Sequence, residues 1–217
     1  EAVTVYNAPA EWAYLGQCNG RLYAQDYTAG LMILENNSWT PLLLKNELKY
    51  NDPITGILPV QKYSAIITTL KNGMYIFDNT GISKLQSVNN PLFENERIYA
   101  ATPVNAEWIA LATNNNGVYI IDIKANIIQS FSGKEGLQNN NVLSIFLDRQ
   151  SNLWLGLDNG IDMIAYNSAI KQINPVLQNG SGYTAIIHNK SLYAGTSNGL
   201  YSVVLQPIQD ISFSKGN

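Results

Sequence analysis

One short phrase recurs five times along this chain, and it limits the possible folds more than any other feature. Each copy is an apolar run that stops at a turn containing glycine and resumes at once, which is the local signature of a β-hairpin. The turn glycines are Gly30, Gly73, Gly117, Gly160 and Gly199. Their intervals are 43, 44, 43 and 39 residues. A period near 40 built from short strands is typical of a β-propeller, and the helical spacing of an α-solenoid is missing.

Each repeat is predicted to form one four-stranded blade. In the fourth repeat the predicted strands are 142–148, 152–158, 161–166 and 169–173. Because neighbouring blades cover both faces of a blade, its inner strands should be apolar on both sides instead of alternating. The segment "WIALA" at 108–112 follows that pattern. At the hairpin turns, the Asn-Gly pairs predict positive φ angles.

The chain is predicted to be a single all-β propeller domain over residues 1–217, with helix content near zero. Its five four-stranded blades are predicted at about 8–44, 56–85, 97–131, 142–173 and 182–214. The 18 residues after Gly199 and the 30 residues up to Gly30 together make about one further period. Five blades therefore either close a ring, with residues 2–7 as a ring-closing strand, or form a segment of a larger propeller.

Charge and composition exclude some classes of partner. The chain is 46% hydrophobic, which is ample for a core, and only 13% of its residues are charged. The net charge is −3 and no basic stripe is present, so binding to nucleic acid by phosphate neutralisation is not expected. A membrane-surface partner is equally unsupported. No apolar run approaches the length of a membrane span, and no signal peptide is recognised.

The sequence offers no convincing catalytic or metal-binding set. Cys18 is the single cysteine, so no intrachain disulfide forms, and it is predicted to be a small core residue beside a turn. His188, the single histidine, has no second ligand at metal spacing. A propeller glycosidase needs carboxylates that face each other, yet the predicted inner strands carry no acid in their middles. We therefore expect no enzyme activity, no catalytic residue, no metal and no cofactor.

Residues 135–166 resemble the two-component regulator propeller repeat. The residues that carry the likeness are Gly136-Leu137, an Asn run, a strand ending at Asp148, "NLWLG" at 152–156 and "DNGI" at 158–161. The likeness is partial at 108–121 and 192–203, and it is faint in the first two repeats. Leu157 stands where the family tends to have Thr, and Asp162 stands where the family tends to have an apolar residue.

This resemblance implies a bacterial sensor module that lies in the periplasm or outside the cell. In that family such propellers precede an immunoglobulin-like domain, a membrane helix and a kinase or DNA-binding output, as in hybrid two-component or triple-tyrosine-type regulators. The implied partners are an oligosaccharide or another small polar ligand and the other domains of the same regulator. A homodimer remains open, and neither nucleic acid nor direct membrane contact is expected.

The long connections between blades are the predicted binding surface, because function concentrates in loops on a rigid scaffold. They lie at 45–55, 86–96, 132–141 and 174–182. They share one rim with the glycine turns that join the second and third strands of each blade, and these two strands are called the middle hairpin below. Amides and carboxylates there would bind sugar hydroxyls, and a ring would stack on the sugar. The predicted ligand-binding residues are Tyr50, Asp52, Phe93, Glu96, Glu135 and Asn139.

Two other interpretations of these residues remain open. As loop residues they are expected to be exposed, and they would then simply be solvated positions that cap turns. A protein-interaction scaffold is the competing function, and it would show a broad exposed apolar patch on the loop rim. A sugar sensor would instead show a concave pocket of amides with one or two rings. A five-bladed glycosidase or lyase is the third class.

Overall fold

The computed structural model describes residues 3–43, 45–61, 64–166 and 181–204. Over these ranges the chain forms 19 strands, arranged in five sheets, and one short helix. Two compact units are present, Glu1–Ala165 and Tyr166–Asn217. The fold is therefore all-β with a repeated, propeller-like arrangement of sheets.

The first unit contains four sheets. The first sheet comprises β1 (Trp12–Cys18), β2 (Arg21–Asp26), β3 (Gly30–Glu35) and β4 (Ser38–Pro41). The second comprises β5 (Lys45–Asn46), β6 (Ile54–Gln61), β7 (Ser64–Thr69), β8 (Met74–Asp78) and β9 (Gly81–Lys84). Helix α1 (Asn90–Glu96) precedes the third sheet, which comprises β10 (Ile98–Pro103), β11 (Trp108–Thr113), β12 (Val118–Asp122) and β13 (Ile127–Phe131). The fourth comprises β14 (Val142–Leu147), β15 (Leu153–Leu157) and β16 (Gly160–Ile164).

The second unit contains one sheet within its described residues. Its strands are β17 (Gly182–His188), β18 (Ser191–Thr196) and β19 (Gly199–Val204). In all five sheets consecutive strands pair antiparallel, except that β5 lies at the edge of the second sheet and pairs with β9. The predicted fourth strand at 169–173 lies outside the described residues, as do residues 205–214 of the predicted fifth blade. Residues 3–8 belong to no strand or helix. The ring-closing role of residues 2–7 stays a prediction.

One backbone hydrogen bond recurs in every repeat. The residue at the entry to the first strand accepts it through its carbonyl oxygen, and a residue of the middle hairpin donates it. The pairs are Tyr27 N to Glu11 O, Leu70 N to Pro53 O, Asn114 N to Glu96 O, Asp158 N to Asn141 O and Ser197 N to Ser181 O, at 2.9 to 3.4 Å. The five repeats found in the sequence are therefore five copies of one local structure.

The second sheet is buried on both faces, as predicted for the inner strands of a blade. On β7, Ile67 packs into a cluster with Tyr23 and Ile33 of the first sheet. Its neighbour Ile66 points the opposite way and packs into a cluster with Ile109 of the third sheet. Both isoleucines are fully buried. A continuous apolar run on one strand thus serves two cores at once, which explains why strict alternation is missing from the sequence.

Two of the segments predicted as loops contain regular structure, and the prediction is wrong there. Residues 45–46 form β5, which adds to the second sheet by pairing parallel with β9. Residues 90–96 form α1, with Pro91 in its first turn, where a missing N–H and a fixed φ favour helix. The helix is stabilised by burial of Phe93 between the second and third sheets. Seven residues are too few to show a helical period in the sequence.

The turn glycines do not all have the same role. Gly117 has φ of 75°, and a Cβ there would lie 2.0 Å from the carbonyl oxygen of Phe131. The prediction of positive φ is confirmed at this turn. At the 158–160 turn it is wrong, because Gly160 is outside the left-handed region, and a Cβ there would meet no atom closer than 3.9 Å.

This difference predicts unequal costs for the same substitution at equivalent turns. Gly117→Ala should destabilise the protein by about 1–3 kcal/mol or more, because alanine is strained at positive φ and its Cβ meets backbone. Gly160→Ala is the matched control and should stay within about 0.5 kcal/mol of the parent protein. Urea denaturation of both variants measures this. Equal effects of the two substitutions would show that the turns are equivalent after all.

Candidate functional site

The structure places the six predicted ligand-binding residues in different environments. Three are buried: Phe93 at 0%, Asp52 at 3% and Glu96 at 8% exposure. Tyr50 and Glu135 are exposed, and Asn139 is half-buried. The expectation that all six would be exposed is therefore wrong for half of them. Within the described ranges, no hydrogen bond joins any of the six to another.

Asp52 lies in the connection before β6 and binds the turn between β7 and β8. Its carboxylate accepts hydrogen bonds from the backbone N–H of Lys71 at 3.0 Å and of Asn72 at 2.9 Å. It also accepts one from Nδ2 of Asn72 at 2.6 Å. These N–H groups belong to a turn that has few other partners, so Asp52 satisfies them as a helix cap would.

Gln25 of the first sheet holds the same connection from the other side. Its Nε2 donates to the carbonyl oxygen of Asp52 at 2.9 Å, and its Oε1 accepts from the N–H of Ile54 at 2.8 Å. The side chain is buried. The connection before β6 is thus tied to the sheet on each side of it, which makes it part of the scaffold.

Phe93 and Glu96 join α1 to the third sheet in a comparable way. The ring of Phe93 meets the ring of Tyr119 edge to face, with centroids 5.5 Å apart. Oε1 of Glu96 accepts from Nδ2 of Asn116, in the turn of the middle hairpin, at 2.7 Å. Burial, followed by the proximity of Glu96, raises the pKa of Tyr119. Both predicted residues therefore have defined structural contacts.

The remaining three predicted residues have local partners. The ring of Tyr50 lies against the turn at Gly30. Glu135 accepts from the backbone N–H and the hydroxyl of Ser132 at 2.8 and 2.7 Å. Asn139 donates to Oδ1 of Asn159 at 3.1 Å. Nothing in these contacts tests ligand binding, so the binding roles of all six residues stay predictions.

The burial of these positions changes the stability expected for their variants. Phe93→Ala should cost about 3–5 kcal/mol, because it removes a fully buried ring that contacts two sheets. Tyr50→Ala, in the neighbouring connection, should cost less than about 0.5 kcal/mol, since Tyr50 is 52% exposed. Thermal and chemical denaturation of the pair would measure this. A Phe93→Ala protein as stable as Tyr50→Ala would contradict the buried position of the ring.

A concave site lies at the opposite rim, between the first and second sheets. It is a cleft of about 420 Å³. Its walls come from the turn that joins β1 to β2, from the start of β7 and from the end of β8. In an antiparallel sheet these strand ends lie away from the end where β6 begins, so the cleft faces away from the inter-sheet connections.

The floor of the cleft is apolar and aromatic. Tyr23 and Phe77, from facing sheets, meet edge to face with ring centroids 5.7 Å apart. Leu42 and Cys18 also line the cleft. Burial raises the pKa of the Cys18 thiol, so the sulfur stays protonated at neutral pH and is a weak nucleophile.

The mouth of the cleft carries polar groups with free hydrogen-bonding capacity. The amides of Asn19 and Asn79 and the hydroxyl of Ser64 line it, and these side chains form no hydrogen bond with the rest of the described chain. Arg21 adds a guanidinium group near the phenol of Tyr23. Burial raises the pKa of Tyr23, and the nearby Arg21 opposes part of that rise. Rings below and amides above are the arrangement expected of a site for a polar, hydroxyl-rich ligand.

Asp78 is the one carboxylate in the lining of the cleft. The hydroxyl and the backbone N–H of Thr80 donate to its Oδ1 at 2.6 and 2.7 Å. Those hydrogen bonds, the hydroxyl first, hold the pKa of Asp78 below its usual range. Asp78 is thus an ionised acceptor. Over the described ranges, no group of three His, Cys, Asp or Glu side chains is placed to hold a metal ion.

Sequence reasoning missed this cleft because its residues are scattered. They come from positions 18–23, 42, 64–65 and 77–79, and no motif joins them. The one usable signal was that Asn19 and Asn79 stand in turns of neighbouring repeats at the same rim. That signal was weak, since asparagine is common in turns.

Comparison with known families identifies the fourth repeat. Residues 136–159 match the family model described as "Two component regulator propeller". The chain therefore contains a repeat of that family, and the resemblance seen in the sequence is confirmed. In this repeat, Asp148 accepts from Nε1 of Trp154 at 2.9 Å and from the N–H of Asn152 at 2.8 Å. Hydrogen bonds, first that from Trp154, lower the pKa of Asp148 to about 2.

Solved structures share the fold at low sequence identity. The extracellular domain of the putative hybrid two component system BT3049 from B. thetaiotaomicron has a TM-score of 0.61 and 16% identity, and the match covers 93% of this chain and 30% of that chain. The corresponding domain of BT4673 from the same organism has a TM-score of 0.54 and 20% identity, with 88% and 27% covered. This chain thus spans less than a third of either neighbour.

A further neighbour belongs to a different class. It is a catalytically inactive virginiamycin B lyase from Staphylococcus aureus with quinupristin, at a TM-score of 0.55 and 14% identity, with 96% of this chain and 74% of that chain covered. No curated protein matches the sequence. At such identities the structural likenesses show the propeller-like fold alone. In the part of the chain that the structure describes, no helix has the length and apolar character needed to span a bilayer.

Proposed function

We propose that this chain is a non-catalytic, extracytoplasmic sensor propeller of a bacterial signalling regulator. The match of residues 136–159 to the two-component regulator propeller family supports the signalling role. Structural neighbours described as extracellular domains of two component systems support the location. The other domains of the same regulator would be its permanent partners, and a homodimer remains a prediction.

The propeller is proposed to have five four-stranded blades within one domain. The five repeats, each with the same hydrogen bond at the entry to its first strand, support that count. The first and third sheets have four strands, and the second has four strands plus β5. Whether the blades close a ring or belong to a larger propeller remains open, as it was from the sequence.

The ligand is proposed to be a small polar, hydroxyl-rich molecule, such as an oligosaccharide, bound in the cleft. One observation carries this proposal: amides with free hydrogen-bonding capacity surround an aromatic floor in a cavity of about 420 Å³. Amide groups can donate and accept, which suits hydroxyl groups, and rings suit the C–H face of a sugar. A protein-interaction scaffold would instead present a broad apolar surface.

The single carboxylate of the cleft supports a binding role over a hydrolytic one. Glycoside hydrolysis uses two carboxyl groups on either side of the scissile bond, one of them protonated. Asp78 stands without a second acid in the cleft lining, and its pKa is lowered instead of raised. A five-bladed glycosidase at this site would therefore lack its protonated acid.

Calorimetric titration of the purified chain with a panel of oligosaccharides tests the proposal. For any saccharide that binds, Arg21→Ala and Asn79→Ala should each weaken affinity by about tenfold or more, which corresponds to about 1.4 kcal/mol per tenfold. Glu135→Ala and Asn139→Ala, in the connections at the other rim, are the controls and should bind normally. If Glu135→Ala and Asn139→Ala weaken binding while Arg21→Ala and Asn79→Ala do not, the site lies at the rim of the inter-sheet connections. The absence of binding by every saccharide would contradict the proposed ligand class.

Cys18 provides an independent readout, because it lines the cleft and is the only cysteine of the chain. Because the thiol is buried and protonated at neutral pH, its reaction with an excess of a small thiol reagent is followed at alkaline pH, and a bound ligand should slow it further. The same saccharide should give no protection in the Arg21→Ala protein at the same concentration. Protection that persists in that variant would place the ligand elsewhere.

A further inference from the structure

Two carboxylates occupy equivalent positions in neighbouring repeats. Asp52 stands two residues before β6, and Glu96 stands two residues before β10. Each faces a five-residue turn of the pattern Thr-x-x-Asn-Gly, at 69–73 and 113–117. In both turns the threonine hydroxyl donates to the glycine carbonyl oxygen at 2.9 Å. The two carboxylates therefore face the same kind of turn, although in the backbone hydrogen bond common to all repeats Glu96 takes the position of Pro53.

The two carboxylates differ in how many donors they have. Asp52 receives three hydrogen bonds, which engage both of its oxygens. Glu96 receives one, from Asn116 to Oε1. Its Oε2 is buried and has no hydrogen-bond partner among the described residues. The side chain as a whole is more than nine-tenths buried.

A buried carboxylate oxygen is strongly destabilising unless a donor binds it. Nδ2 of Asn116 already serves Oε1, and the ring of Phe93 is apolar. The phenol of Tyr119 lies near Glu96 but forms no hydrogen bond with Oε2. A hard cation such as calcium needs six to eight oxygen ligands, which a single free carboxylate oxygen does not approach. A water molecule is small enough for a closed site and donates readily to a carboxylate.

We propose that Oε2 of Glu96 binds one internal water molecule, which completes the contact between α1 and the 113–117 turn. The water takes the place of the direct contacts that Asp52 makes with backbone N–H groups in the preceding repeat. The side chain of Glu96 is one methylene group longer than that of Asp52. This site is separate from the cleft at the opposite rim and does not depend on the proposed ligand. The connection before β10 is thus held by water in addition to its direct contacts with Asn114 and Asn116, whereas both carboxylate oxygens of Asp52 bind their turn directly.

The same chemical change at the two positions tests the proposal. At Glu96→Gln, one oxygen still serves Asn116, and the water reverses its hydrogen bond to accept from the new amide. The melting temperature should then shift by less than about 2 °C. At Asp52→Asn, the new amide donors face N–H donors, so the melting temperature should fall by about 4 °C or more.

Two outcomes would overturn the proposal. A rise of several degrees in Glu96→Gln would mean that Oε2 carries an unrelieved charge with no water bound. A fall as large as that of Asp52→Asn would mean that a charged group binds Oε2. A high-resolution crystal structure of the parent protein gives the direct answer. It should show one ordered water about 2.7 Å from Oε2, and an empty or cation-filled position would contradict the assignment.

Discussion

The fold depends on sheets that must be buried on both faces. A strand such as β7, with Ile66 in one core and Ile67 in the other, cannot be stable in an isolated sheet, because one apolar face would always meet water. The second sheet therefore requires a neighbour on either side, and the repeated sequence supplies those neighbours. The near-40-residue period and the unbroken apolar runs are two consequences of this single constraint.

Packing sheets face to face leaves the hairpin turns at the rim with unpaired N–H groups, and the connections provide their acceptors. Carbonyl oxygens at the strand entries do so in all five repeats, and the side chains of Asp52 and Glu96 add to them. Polar residues that look like solvated loop positions in the sequence are thereby buried. Asp52 and Glu96 thus have structural contacts at the rim of connections. In the cleft at the other rim, Asn19, Asn79 and Ser64 keep hydrogen-bonding capacity free within the described chain.

The elements that repeat could be predicted from the sequence, because local periodicity determines them. The hairpins of all five repeats lie at the turn glycines that the sequence indicated. What could not be predicted depends on contacts between distant segments. Helix α1 is stabilised by the burial of Phe93, β5 forms only because β9 lies beside it, and the cleft joins Asn19 to Asn79 across two sheets. The burial of Asp52 could not be predicted for the same reason, because its hydrogen-bond partners lie about twenty residues away in the sequence.

Native-state hydrogen exchange tests most directly whether the connections and the hairpin turns form one cooperative structure. The amides of Leu70 and Asn114, which donate to Pro53 and Glu96, should exchange as slowly as the core amide of Ile67. They should be at least about 100-fold slower than Gly20, in the turn between β1 and β2. If Leu70 and Asn114 instead exchange as fast as Gly20, the connections are loose surface loops and the account is wrong.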